Sequence, residues 1–151
     1  MFDQNREAAL RQAVEDLYFG YRAFTALPDE MLATSGLGRT HHRVLYFICR
    51  RPGISVGELI ALLDVTKQAV HRPIKDLEDR GLVANAADVD DRRVRRLTAT
   101  DAGVDLERRL TLSQMDMLDD AFAAVGPDGE AIWHAVTARL AGRTARGVDR
   151  P

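Results

Sequence analysis

Two helix-start signals stand only eleven residues apart in this chain, and little else in it constrains the fold so tightly. Ser55-Val56-Gly57-Glu58 is a capping-box pattern, in which the Ser and Glu side chains each satisfy a backbone N–H left over where a helix begins. Thr66 offers a second N-cap. The short helix between them carries Leu59, Ile60, Leu62 and Leu63 as its apolar face, and only Asp64-Val65 remains as a connection. A second helix is expected from Thr66 through Arg80, with Val70, Ile74 and Leu77 on its inner face. Gly81 is placed to end it in a left-handed conformation.

The flanks of this pair extend the pattern. Upstream, Thr40 is the expected N-cap of a helix through Arg51, with Val44, Leu45, Ile48 and Cys49 inward and Pro52-Gly53 as its stop. Downstream, Leu82 to Ala86 and Arg93 to Thr98 read as two strands joined by the acidic turn Ala87 to Asp91, a hairpin with an extended tip. Helix, short helix, tight turn, helix, hairpin is the order of a winged helix-turn-helix. The fold class is therefore mainly α with a small β-hairpin.

Long amphipathic helices surround this middle. The first is expected over Glu7 to Leu27, with Leu10, Val14, Leu17 and Tyr21 among its apolar positions, stopped by Pro28 before a short turn over Asp29 to Leu32. Another begins at Asp101, bearing Leu106, Leu110, Met117, Leu118 and Phe122, and ends at Gly126-Pro127. A last helix, Gly129 to about Ala141, carries Ile132, Trp133, Val136 and Leu140, and the tail from Gly142 reads as frayed. Such stripes are too long to hide against so small a middle domain. Residues 1–36 and 101–146 are accordingly expected to form a homodimer interface around a winged helix-turn-helix at 37–100.

Composition excludes several classes. The longest apolar run, Val44 to Cys49, is far short of the ~20 residues a bilayer span needs. The N-terminus has no apolar signal-peptide region, and the single Cys49 permits neither an internal disulfide framework nor a multi-cysteine zinc site. A cytoplasmic protein is expected, with no membrane partner. No Gly-rich phosphate loop or Gly-x-Ser-x-Gly elbow is present, so no enzyme activity, cofactor or metal is expected. His41 and His42 are adjacent, hence about 100° apart around a helix, and lack a partner set for a metal. Cys49 falls on an apolar face and reads as core.

The net charge of −2 conceals an uneven distribution. Residues 37–100 hold twelve Lys/Arg against eight Asp/Glu, whereas both flanks are acidic. A basic middle between acidic ends is what a segment facing a polyanion requires. On the helix from Thr66, residues Gln68, His71, Arg72 and Lys75 fall opposite the core face, joined by Lys67 near the N-terminus. Arg, Lys and Gln reach base edges in a major groove, and a helix N-terminus suits phosphate. The hairpin adds Arg92, Arg93, Arg95 and Arg96. Strand alternation sends Arg93 and Arg95 to one side, and Arg92 and Arg96 to the other. Arg92 and Arg93 near the tip suit phosphates or a narrow minor groove, and Asp91 is expected to hold a neighbouring Arg as an ion pair.

The stretch from THHRVLYFICRRPGISVGELIALLDVTKQAVHRPIKDLEDRGLV through DVDDRRVRRLTATDAG resembles the MarR family of bacterial transcription regulators. Its most specific pieces are Asp91 to Arg93 and Leu97 to Gly103. The resemblance implies a homodimer that binds palindromic double-stranded DNA as a ligand-responsive repressor. It also implies a small aromatic or anionic effector between the dimerisation helices and the DNA-binding lobe, where Tyr18, Tyr21, His41, His42 and Tyr46 are the candidates. Pro73 departs from the family pattern, since a mid-helix Pro removes the bond to the Ala69 carbonyl and costs ~3 kcal/mol in a regular helix. That departure keeps open an alternative: a winged-helix protein-interaction module without DNA binding.

Overall fold

The computed structural model describes residues 1–142. The expected frayed tail, and residues 143–146 of the expected dimerisation segment, lie outside the described residues. In chain order the elements are α1 (Gln4–Ala33), α2 (Arg39–Arg50), β1 (Ile54–Ser55), α3 (Val56–Leu63), α4 (Lys67–Asp79), β2 (Val83–Ala87), β3 (Arg95–Ala99), α5 (Asp101–Val125) and α6 (Gly129–Leu140). One core joins α2, α3, α4 and the sheet, centred on Val44, Leu45, Ile48, Leu59, Val70, Leu77 and Leu97. Leu32 of α1 and Leu110 of α5 complete it from either end of the chain. Among the described residues, no helix is long and apolar enough to cross a membrane.

The local signals of the helix-turn-helix act as expected. Ser55 Oγ accepts the Glu58 N–H at 3.0 Å, and the Glu58 carboxylate accepts the Ser55 N–H at 2.7 Å. Asp64 ends α3 in the left-handed region at φ 53°, which Asp tolerates better than most residues. Thr66 then caps α4 by accepting the Ala69 N–H. Gly81 turns the chain out of α4 at φ 68°. Pro73 does not interrupt α4. It is buried, while Ala69, four residues earlier, is exposed, so water can serve the carbonyl that Pro73 leaves unbonded.

Two expectations need correction, and a third, the hairpin, is extended. Pro28 does not stop the first helix, which runs unbroken to Ala33. The Phe24 carbonyl that Pro28 cannot serve accepts instead from Gln114 Nε2 of α5 at 3.1 Å. Thr40 is not the cap of α2; Gly38 holds that position, and His41 Nδ1 accepts its N–H at 3.0 Å. The hairpin is part of a three-stranded antiparallel sheet of order β1-β3-β2, with Ile54 opposite Leu97 and Asn85 opposite Leu97 on the other side. Its two long strands begin and end one or two residues later than their composition suggests.

The junction from sheet to α5 shows why Thr100 and Gly103 stand where they do. Thr100 Oγ1 donates to the Gly81 carbonyl and accepts the Gly103 N–H, while the Thr100 N–H donates to the Leu82 carbonyl. A Cβ on Gly103 would lie 2.0 Å from that same Leu82 oxygen. Gly103→Ala gains about 1 kcal/mol in helix propensity but must push α5 off this turn. A net loss of about 1–3 kcal/mol is expected from overpacking, read as a lowered midpoint in urea unfolding with an unchanged slope.

Candidate nucleic-acid interface

The outer face of α4 and the edge of the hairpin enclose one groove of about 940 Å³. From α4 it receives Lys67, His71, Arg72 and Lys75, and from the hairpin Arg93 and Arg95. Thus five of the eight residues expected to face DNA share a concave surface. The other three, Thr66, Gln68 and Arg92, are exposed but do not line the groove. Thr66 Oγ1 accepts the cap bond from the Ala69 N–H, which leaves its O–H as a donor.

The cations are held to different degrees. Lys75 pairs with Asp79 at 3.1 Å one turn on. The Arg72 side chain is 91% exposed, and its Nε stands 4.0 Å from Asp76 Oδ2, too far for a hydrogen bond. Asp76 is held elsewhere: His41 Nε2 of α2 lies 2.9 Å from the same oxygen. That contact, aided by Arg72 and Arg80, keeps the Asp76 carboxyl below its ordinary range.

The wing is organised by Asp88 more than by Asp91. Asp88 accepts the N–H groups of Asp90 and Asp91 through one oxygen, and Arg96 Nε at 2.7 Å through the other. The Arg96 hydrogen bond and the two backbone donors pull the Asp88 carboxyl down to about 2. Arg96 also reaches the Glu58 carboxylate at 3.3 Å and the Gly53 carbonyl, tying the hairpin to the start of α3. Asp91 pairs with Arg93 through two contacts of 3.1 and 3.2 Å, as expected of it. Arg93 is nonetheless 92% exposed, so this pair positions the guanidinium without much energy. Arg95 bonds the Asn85 side chain and carbonyl across the hairpin. Strand alternation already placed Arg95 beside Arg93 and Arg96 on the other side; which acids hold Arg96 is a tertiary matter.

A second cavity, about 390 Å³, lies between α1, α2 and α5. Of the five candidates for an effector site, Tyr21, His42 and Tyr46 line it. Tyr18 does not; it is exposed on α1 beside Phe19 and Arg22. Nor does His41, whose ring is engaged by Gly38 and Asp76. Burial lowers the His42 pKa and so favours a neutral ring. Sequence reasoning missed Arg39 and Arg43, which also line the cavity. The spacing 39, 42, 43, 46 is that of one helix face and could have revealed them. Arg39 pairs with Asp29 at 2.6 Å and stacks over Tyr21. Cys49 is half-buried, and desolvation pushes its thiol up to about 11, which suits packing and not reactivity. Among the described residues, no group of three or more His, Cys, Asp or Glu is placed to hold a metal ion.

Comparison with known proteins agrees with this geometry. The sequence profile of the MarR family matches residues 35–94. The chain is 43% identical over 122 residues to the HTH-type transcriptional regulator PetP of Rhodobacter capsulatus, covering 81% of this chain and 74% of that protein. It is 37% identical over 98 residues to the HTH-type transcriptional repressor Rv2887 of Mycobacterium tuberculosis, covering 61% of this chain and 68% of the relative. In fold it resembles Streptococcus pneumoniae FabT, solved in complex with DNA, with a TM-score of 0.78, 17% identity, and coverage of 89% and 96% of the two chains. The winged helix-turn-helix, its two basic elements and these relatives together establish that the chain belongs to the MarR family of DNA-binding transcriptional regulators, which are not enzymes.

Proposed function

We propose that the protein is a cytoplasmic, homodimeric, ligand-responsive repressor that reads palindromic operators. The observation that carries this reading is the single groove in which α4 and the wing combine their cations. Residues 37–100 form the DNA-binding unit, and residues 1–36 with the helices after residue 100 form the dimer interface. Within the DNA-binding unit, Thr66 and the start of α4 meet phosphate, Gln68, His71, Arg72 and Lys75 face base edges with Lys67 beside them, and Arg92 and Arg93 hold the backbone or minor groove. Asp91 supports Arg93. Two recognition helices related by a two-fold axis require half-sites about one helical turn, ~34–36 Å, apart.

The effector part of the reading is supported by the α1/α2/α5 cavity, whose volume suits a small ligand and whose wall joins Tyr21 and Tyr46 to Arg39 and Arg43. A small aromatic or anionic molecule fits that chemistry. The α2 turn that forms this wall also carries His41, bonded to α4 through Asp76, which offers a physical route from cavity to recognition helix. A thermal shift with aromatic acids tests this part; none with any of them would remove it.

Selection of bound sequences from random duplexes, followed by salt titration, tests the DNA part. A selected site lacking dyad symmetry would overturn it. Arg92→Ala and Arg93→Ala should each weaken binding to the selected and scrambled duplexes by similar factors. Each should also flatten the salt dependence, by about one unit of slope for every phosphate that is no longer neutralised. Unchanged affinities for both duplexes would show that the hairpin does not touch DNA.

A further inference from the structure

One carboxylate oxygen in the groove lies within reach of two cationic or donor side chains. Asp76 Oδ2 lies 2.9 Å from His41 Nε2 of α2 and 4.0 Å from Arg72 Nε, one turn back on its own helix. His41 is fixed from its other side, because Nδ1 faces the Gly38 backbone N–H at 3.0 Å. A backbone N–H can only donate, so Nδ1 accepts and the ring proton sits on Nε2, directed at Asp76. The ring is thereby held at both nitrogens. A carboxylate on a surface that faces a polyanion, four residues after an Arg, would otherwise close on that Arg as an ordinary i,i+4 pair.

We infer that His41 is a positioning residue for DNA reading: by holding Asp76 toward α2, it keeps that carboxylate from closing on Arg72 and leaves the guanidinium extended into the groove. The Arg72 side chain is 91% exposed, and its Nε stands 4.0 Å from the oxygen that His41 holds. Arg80 reinforces the arrangement, since its Nη1 donates to the Asp76 carbonyl and its Nη2 to the Ser35 carbonyl, binding the end of α4 to the α1–α2 connection. Lys75 does not compete for Asp76, being paired with Asp79. The inference rests on the reading of Arg72 as a base-contacting residue.

The test uses the full chain and compares His41→Asn, Asp76→Asn, the double variant and Arg72→Ala on the selected operator and on a scrambled duplex. Asn at 41 can still accept the Gly38 N–H but is too short to reach Asp76. His41→Asn should lower the ratio of specific to nonspecific affinity about two- to threefold, the scale of an exposed i,i+4 pair. Adding Asp76→Asn should restore the ratio, because the neutral amide no longer captures Arg72. Asp76→Asn alone should leave it at the wild-type value. A tether with a merely structural role predicts the opposite: the double variant no better than His41→Asn, with both losses following thermal stability. A double variant without rescue, or a His41→Asn ratio equal to wild type, overturns the inference. Should His41→Asn fold poorly, His41→Gln with a side-chain NMR measurement of the Arg72 Nε–H in the free protein decides it. Gln can reach Asp76 and should leave that resonance in place; a resonance already shifted by ion pairing in wild type overturns the inference. If Arg72→Ala itself leaves the ratio unchanged, the reading of Arg72 falls and takes this inference with it; if only the His41 effect is absent, that reading stands.

Discussion

Arg72→Ala should lower affinity for the selected operator by about 1–3 kcal/mol, roughly five- to 150-fold, and affect a scrambled duplex much less. The asymmetry follows from where the side chain is. Arg72 projects from the middle of the outer face of α4, away from Val70, Pro73, Ile74 and Leu77, and its ion pair with Asp76 is loose, with Nε 4.0 Å from Oδ2. A guanidinium so placed can present two parallel donors to a guanine edge, which carries information, whereas a phosphate contact carries none. Arg72→Lys should recover little of the discrimination, since an ammonium is a point charge without the fork. Equal losses on both duplexes would make Arg72 a phosphate contact. That outcome would move sequence reading to the other residues of α4.

The second large effect concerns assembly. Sedimentation at micromolar concentration is expected to show a dimer. Leu17→Asp combined with Val136→Asp should convert it to a monomer. Within one chain no residue of α6 is buried, and Ile132, Trp133, Val136 and Leu140 all stand exposed. Val14, Leu17 and Tyr18, on one face of α1, are more than half exposed as well. Contiguous apolar faces of this extent on two helices are costly in water unless a partner covers them. Loss of the dimer should cost the operator about 10²- to 10⁴-fold in affinity, because each half-site then binds without the effective concentration the other supplies. A stable, folded wild-type monomer at micromolar concentration would contradict this directly.

The parts of the fold legible in the sequence are those decided within a few residues. The Ser55–Glu58 box, the Thr66 cap, the Gly81 turn and the inner face of α4 each depend on side chains and backbone groups that are neighbours along the chain. Their geometry is nearly independent of the rest of the molecule, so spacing alone determined the helix-turn-helix. The division of basic residues into a helix face and a hairpin edge was legible for the same reason, through the 3.6 and 2.0 periods.

Tertiary structure decided whatever needed a partner far along the chain. Pro28 carries a strong local stop signal, yet α1 continues, because Gln114, distant in sequence, supplies the donor that the Phe24 carbonyl lacks. β1 is only two residues long and has no pattern of its own; it exists because β3 presents Leu97 and Arg96 to it. Arg96 looked like one more basic wing residue until Asp88 and Glu58, held by different elements, were brought to it. His41 could not be told from a cavity residue until α2 and α4 packed and set Asp76 against its ring. Backbone caps and periodicity are satisfied locally. Which ion pairs with which, and which carbonyl is rescued, is settled only when the elements meet.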